Sequence, residues 1–316
     1  MFAPLYVVQE LSARCYANCR GCFRTFVKGP FDGDMTLETF ENANRGIPSE
    51  TMILPNFHGE SFLHPFFPVF LKRYKELGLR VSLPTSAFSG TKHLPLIVGE
   101  DSPVYIFIIS IDGFSSYSHN LRRGNITLQK AEAFVDEALR LRGERKSPWI
   151  SVRIVEGGQS EREMELYIKK YLFEKKLDFI LRSRMFNYGS EFNSPVSLGS
   201  HKCRSLVEGN PVVLFNGDVL LCERTADREK YVLGNVNTDD WEIIMARRAK
   251  MTEGYPENDP CRLCSAAYLL TGMQGVLELR HPDNDEQKVP IYFHSDHSQS
   301  YLSLVKSWQG INWSLK

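Results

Sequence analysis

The sequence predicts an α/β protein built on a parallel sheet and left open along one side as a partial barrel. Three observations lead there. Strand-like and helix-like stretches alternate from residue 5 to residue 183. One stretch, Val104–Ile111, is a near-continuous apolar run, the pattern of a strand buried on both faces. The chemically suggestive motifs fall where strands end, the place where such sheets bind ligands. Six strands separated by helices are six-eighths of a closed (β/α) barrel.

Taken in order, residues 5–9 read as the first strand. The loop after it carries Cys15, Cys19 and Cys22, and a Gly/Asp-rich turn follows at Gly29–Asp34. Thr36 is placed to cap a helix running to about Arg45. Strand two is Thr51–Phe57, a helix follows near Pro68–Leu77, and strand three is Leu79–Leu83. After strand four, Ala131, Phe134, Val135 and Ala138 share one face of a helix over Leu128–Arg142. Strand five is Trp149–Val155, Ser160 and Glu163 fit a capping box, and strand six is Leu177–Ser183. Further on, Val212–Leu221 is a hairpin about Asn216-Gly217, the strongest short turn signal. In the last segment a helix is expected over Tyr301–Trp308, closing the open side, with Leu269–Leu279 lining a cavity. His294-Ser-Asp-His297 is taken as surface, since two histidines do not make a metal site.

Composition excludes several classes. Lys+Arg and Asp+Glu are both 38 in 316 residues, so the chain lacks the basic excess of a protein that grips nucleic acid. Seven cysteines are an awkward number for a disulfide framework. The N-terminus has no basic and apolar signal pattern, and no apolar run is long enough to span a bilayer. A cytoplasmic protein with no membrane or nucleic-acid partner is expected.

The cysteines carry the chemistry. Three thiolates at the spacing Cys15-x3-Cys19-x2-Cys22 suit an iron–sulfur cluster. They also suit three of the four ligands of a structural zinc site, although zinc more often uses two CxxC or Cys/His pairs. A cubane held by three cysteines keeps one iron open to a small molecule.

This spacing resembles the CxxxCxxC signature of the radical S-adenosylmethionine (SAM) superfamily, whose core is a (β/α)6 partial barrel. The resemblance implies a [4Fe–4S] cluster on Cys15, Cys19 and Cys22 whose open iron chelates SAM. It also implies reductive cleavage of SAM to a 5′-deoxyadenosyl radical, fed by a reductant such as flavodoxin or ferredoxin. Phe57-His-Gly-Glu-Ser61 resembles the family's GGE-type segment, which implies the backbone of His58 and Gly59 and the Glu60 carboxylate at the SAM amino group; the His58 ring, standing where the family has a glycine, is read as structural, with a contact to substrate as the alternative. By the same resemblance Thr85 is a hydroxyl contact to SAM, and Ser110, in Ser110-Ile-Asp-Gly113, meets its ribose or carboxylate. Asp112 is read as a turn former. Arg153, near the end of strand five, is matched to the SAM carboxylate. Many relatives have an aromatic residue where this chain has Gly21, which leaves Phe23 to cover the adenine.

The remaining cysteines, Cys203, Cys222, Cys261 and Cys264, flank the hairpin in a pattern that resembles the twitch form of the SPASM extension. That implies one auxiliary [4Fe–4S] cluster; a zinc ribbon is the alternative. The expected organisation is a radical SAM core over 1–195, a twitch/SPASM-like domain over 196–270 and a C-terminal extension over 271–316 packing on the core. The expected substrate is a small molecule such as a natural-product sugar, aminocyclitol or nucleoside, because no leader-recognition module precedes strand one. A peptide substrate and a non-catalytic zinc protein are the alternatives. With every cysteine assigned to a cluster, none is spare as a hydrogen donor, and net oxidation or bond formation is expected over epimerisation.

Overall fold

β1 (Tyr6–Gln9) is short and apolar, and its Val7 and Val8 are buried. It sits inside a sheet, not at its edge. The computed structural model describes residues 6–20, 22, 24, 31–156, 159–184, 211–223, 228–253, 273–281 and 284–294. Within these, β1 pairs in parallel with β2 (Met52–Leu54) on one side and with β7 (Val212–Val213) on the other, Val8 facing Leu54 and Val212. From β2 the sheet continues through β3 (Arg80–Thr85), β4 (Val104–Ser110), β5 (Trp149–Glu156) and β6 (Phe179–Arg184), each parallel to the one before. The six predicted strands are therefore all present, in sequence order, and the sheet does not close.

Both flanks of this six-stranded unit are extended. Beyond β7 lie β8 (Asp218–Leu220) and β9 (Val232–Asn235), antiparallel, so the predicted hairpin continues the barrel's own sheet. Beyond β6 lie β10 (Met273–His281) and β11 (Asn284–His294), also antiparallel. The second hairpin was not anticipated. Its β10 spans part of the Leu269–Leu279 stretch, and His294 is the last residue of β11, while 295–297 lie outside the described residues. The expected helix Tyr301–Trp308 lies outside the described residues, as do Gly21 and Phe23.

Helices connect the parallel strands. α1 (Leu37–Asn44) is capped by the Thr36 hydroxyl, which accepts from the Thr39 N–H at 3.1 Å. α2 (Phe67–Glu76) has a proline in its first turn, where the missing N–H is harmless. A single helical turn, α3 (Leu94–Ile97), joins β3 to β4, and α4 (Ser116–Arg123) and α5 (Leu128–Arg142) join β4 to β5. α6 (Glu161–Ile168) precedes β6 and runs on as a π-helical turn, Lys169–Glu174. α7 (Trp241–Thr252) follows β9.

The capping box expected at Ser160 is half made. Ser160 accepts from the Glu163 N–H at 3.1 Å, but the Glu163 carboxylate accepts instead from the Phe114 N–H at 3.3 Å. A full box stands at α4, where Ser115 and Ser118 serve each other. The apolar faces of the helices meet the sheet in one core in which Phe40, Phe70, Phe107, Phe134 and Tyr167 are buried. Phe40 and Phe70 stack at 4.5 Å. This packing fixes the strand ends from which the site is built.

Candidate active site

The loop after β1 is held from several directions. The Glu60 N–H donates to the Arg14 carbonyl at 2.8 Å, and Arg14 pairs with Asp34 and donates to the Leu63 carbonyl at 3.2 Å. Further along, Asn18 and Asn125 exchange backbone-to-side-chain hydrogen bonds at 3.1 and 2.8 Å, and the Arg20 N–H donates to the Arg122 carbonyl at 2.7 Å. Gly124 has φ +59° and its Cα lies against Asn18, so a side chain there would collide with Asn18 as well as strain the backbone. The cysteine loop is thus clasped by the loop after α4.

Cys15, Cys19 and Cys22 line one cavity of about 410 Å³ together with Glu60, Thr85, Ser110 and Arg153. Burial pushes the Cys15 thiol up to about 11, and burial also raises Cys19, opposed by the Arg123 guanidinium. Metal ligation demands thiolates, so iron would supply the stabilisation that burial removes. Among the described residues no three donor side chains converge on one single-ion site. A cubane asks for wider spacing, because each thiolate binds its own iron.

The segment after β2 supplies a buried carboxylate. Glu60 accepts from the Ser86 N–H at 3.0 Å, the Ser86 hydroxyl at 2.7 Å and the Thr85 hydroxyl at 3.1 Å. Burial pushes its pKa up, opposed by these hydrogen bonds. Among the described residues no cation pairs with it. Thr85 is engaged twice, since its oxygen also accepts from the Ala87 N–H at 3.1 Å, so it bears on the cavity through Glu60. Gly59 is required by packing: a Cβ there would collide with the Ser12 carbonyl of the cysteine loop. His58 lines the cavity wall, with its ring stacked on Phe57 at 3.7 Å and edge-on to Phe31 at 5.5 Å. Burial holds its pKa well below the usual range, with Arg228 and Arg24 adding to the effect. It therefore stays neutral beside Glu10, which pairs with Arg228.

At the ends of β4 and β5, Ser110 and Arg153 are register partners and both line the cavity. Arg153 Nε donates to Ser183 Oγ at 3.1 Å. Asp112 proves more than a turn former. Its Oδ1 accepts from the Val155 N–H at 2.8 Å, and its Oδ2 lies 2.6 Å from Arg123 Nε. The donor set fits the implied cofactors on chemical grounds. Three thiols suit three corners of a cubane, a buried carboxylate suits an ammonium, and a hydroxyl with a guanidinium suits a carboxylate.

Of the four later cysteines, Cys222 is buried just past β8, while Cys203, Cys261 and Cys264 lie outside the described residues. Several lining residues escaped the sequence analysis: Asn56, Ser86, Arg122, Arg123 and Glu223. The two arginines ride on α4, a polar helix with only His119 buried, which offers no apolar stripe to read.

No protein-family model and no curated protein matches this sequence. Solved structures do match the fold. Streptococcus suis SuiB bound to its precursor peptide SuiA superposes with a TM-score of 0.64 at 14 % identity, covering 83 % of this chain and 70 % of that one. Native anSMEcpe with bound AdoMet (SAM) and the Cp18Cys peptide gives 0.57 at 14 % identity, covering 83 % of each chain. BtrN in complex with AdoMet and 2-DOIA gives 0.50 at 17 % identity, covering 83 % of this chain and 94 % of that one. These are radical SAM enzymes, and the fold predicted from the cysteine motif is the fold they share.

Proposed function

We propose that this chain is a radical SAM enzyme, with Cys15, Cys19 and Cys22 as ligands of a [4Fe–4S] cluster. The observation that carries this is one cavity, at the carboxyl ends of the parallel strands, lined by all three thiols together with Glu60, Ser110 and Arg153. When bound, the cluster supplies the electron that cleaves SAM to methionine and a 5′-deoxyadenosyl radical, itself replenished by a flavodoxin- or ferredoxin-like donor. The protein's part is to bind and orient. Glu60, held by Thr85 and Ser86, accepts from the SAM amino group. Ser110 and Arg153 donate to its carboxylate. Cys222, with Cys203, Cys261 and Cys264, is assigned to an auxiliary cluster.

The substrate is taken to be a small polar molecule, a sugar, aminocyclitol or nucleoside, undergoing net two-electron oxidation or bond formation. Arg20, Arg122 and Glu223 on the cavity lining suit hydroxyl and amine groups. A peptide is the second reading, favoured by the overlay with SuiB carrying its precursor peptide. Anaerobic reconstitution followed by 5′-deoxyadenosine assay tests the core assignment. Replacing any of Cys15, Cys19 or Cys22 with Ala should abolish SAM cleavage while leaving the auxiliary iron in place. Wild-type rates in these variants, or stoichiometric zinc without sulfide in the native protein, would refute it.

A further inference from the structure

Arg123 is placed where an ordinary surface arginine would not be. Its side chain is 14 % exposed, and its Nη1 lies 3.9 Å from Cys19 Sγ, within hydrogen-bonding range for sulfur. Its Nε lies 2.6 Å from Asp112 Oδ2, a carboxylate that is itself buried and fixed by the Val155 N–H. Asp112 stands just past β4, Arg123 ends α4, and Cys19 belongs to the loop after β1. Three segments distant in sequence therefore meet in one line of charge: carboxylate, guanidinium, sulfur. The clasp of Asn18 and Gly124–Asn125 prevents the two loops from drifting apart.

We propose that Arg123 sets the reduction potential of the cluster through Cys19, with Asp112 aiming the guanidinium and moderating its charge. This rests on the assignment of Cys19 as a cluster ligand. The reasoning is electrostatic. A [4Fe–4S] cluster with thiolate ligands is negative, and reduction adds one more negative charge. A positive group close to a ligand sulfur, in a partly desolvated wall, stabilises the reduced form more than the oxidised form. Hydrogen bonds to the sulfurs act in the same direction. Asp112 opposes part of this effect by charge but fixes where the guanidinium points. Both residues are positioning residues, because they act on the cluster through Cys19.

The test is an EPR-monitored redox titration of the anaerobically reconstituted full chain, following the signal that SAM perturbs, with iron and sulfide quantified in each sample. Arg123→Met should lower the midpoint, cutting the ratio of reduced to oxidised cluster about tenfold at the wild-type midpoint, or about 59 mV for one electron. Arg123→Lys, which keeps the charge, should recover most of that shift. Asp112→Asn keeps an acceptor for Val155 and should move the midpoint the opposite way by a smaller amount. A purely structural role would not shift the two variants in opposite directions. An unchanged midpoint in Arg123→Met at full iron content overturns the inference while Cys19 remains a ligand. If Arg123→Met assembles no cluster, Asp112→Asn decides alone, and an unchanged or lowered midpoint there overturns it. A wild-type chain that binds no iron and sulfide overturns the cluster assignment and this inference together.

Discussion

Two buried carboxylates, Glu10 and Glu60, follow neighbouring strands and meet opposite treatment. Glu10, just past β1, is closed off by the chain itself: Arg228 pairs with it, and both side chains are essentially without solvent exposure. Glu60, past β2, receives three neutral hydrogen bonds and no cation among the described residues, and it faces the cavity. Burial pushes both pKa values up, but only Glu10 has a guanidinium working against that push. An ion pair inside a protein offsets part of its own desolvation, whereas a carboxylate given only neutral donors has no opposite charge to do so. The first acid is answered within the fold, and the second meets only neutral donors among the described residues, which is what supports its proposed role toward SAM.

The sharpest way to break this contrast is to remove the internal partner. Arg228→Met would strand the Glu10 charge and should cost about 3–5 kcal/mol of stability, measured by urea unfolding of the apo protein. A loss below about 1 kcal/mol would mean that the pair acts like a surface ion pair and that the two acids differ less than their surroundings suggest.

A buried base sharpens the contrast through pH. His119 is fully buried on α4, its Nδ1 accepts from the Asp112 N–H at 3.3 Å, and burial lowers its pKa to about 4. The unfolded chain takes up a proton near pH 6.5, which the folded chain refuses until about pH 4. The stabilisation is therefore complete above pH 6.5, is lost as pH falls, and totals about 3 kcal/mol. His58 and His64 are depressed in the same direction and share the acid limb. His119→Gln should flatten the decline in unfolding free energy between pH 7 and 4.5, and an unaltered slope would assign the decline to the other histidines.

The smallest effect belongs to the open acid. Glu60→Gln should leave apo stability within about 1 kcal/mol, since a neutral amide removes a desolvated charge. It should weaken SAM binding by about 1.5–3 kcal/mol, a tenfold to hundredfold rise in Kd, the usual worth of a charge-assisted hydrogen bond. Urea unfolding of the apo protein reads the first half and isothermal titration of SAM into the reconstituted protein the second, and an unchanged Kd would remove Glu60 from the SAM pocket.

What was legible in the sequence was local. Val104–Ile111 announces a buried strand, Thr36 a cap, Asn216-Gly217 a turn, and the cysteine spacing a loop that brings three thiols to one cavity, because each signal fits within a few residues. What was not legible joins distant residues. Arg123 matters because it reaches Cys19, Asn125 because it holds Asn18, and Arg228 because it closes Glu10. The second hairpin at β10–β11 likewise takes its place only by pairing with β6. Gly59 lines the cavity, and the contact that its missing Cβ permits, with the Ser12 backbone, joins residues far apart in sequence.

The position of β1 has a consequence for biosynthesis. β1 pairs with β7 on one flank and β6 with β10 on the other, so the flanks of the six-stranded unit are sealed only by chain made much later. A nascent chain that ends near residue 195 would carry two bare parallel edges, each able to template association with another copy. Formation of the finished sheet therefore waits for long-range closure, a topology that folds slowly. Expression of the first 195 residues alone would yield a fragment prone to self-association.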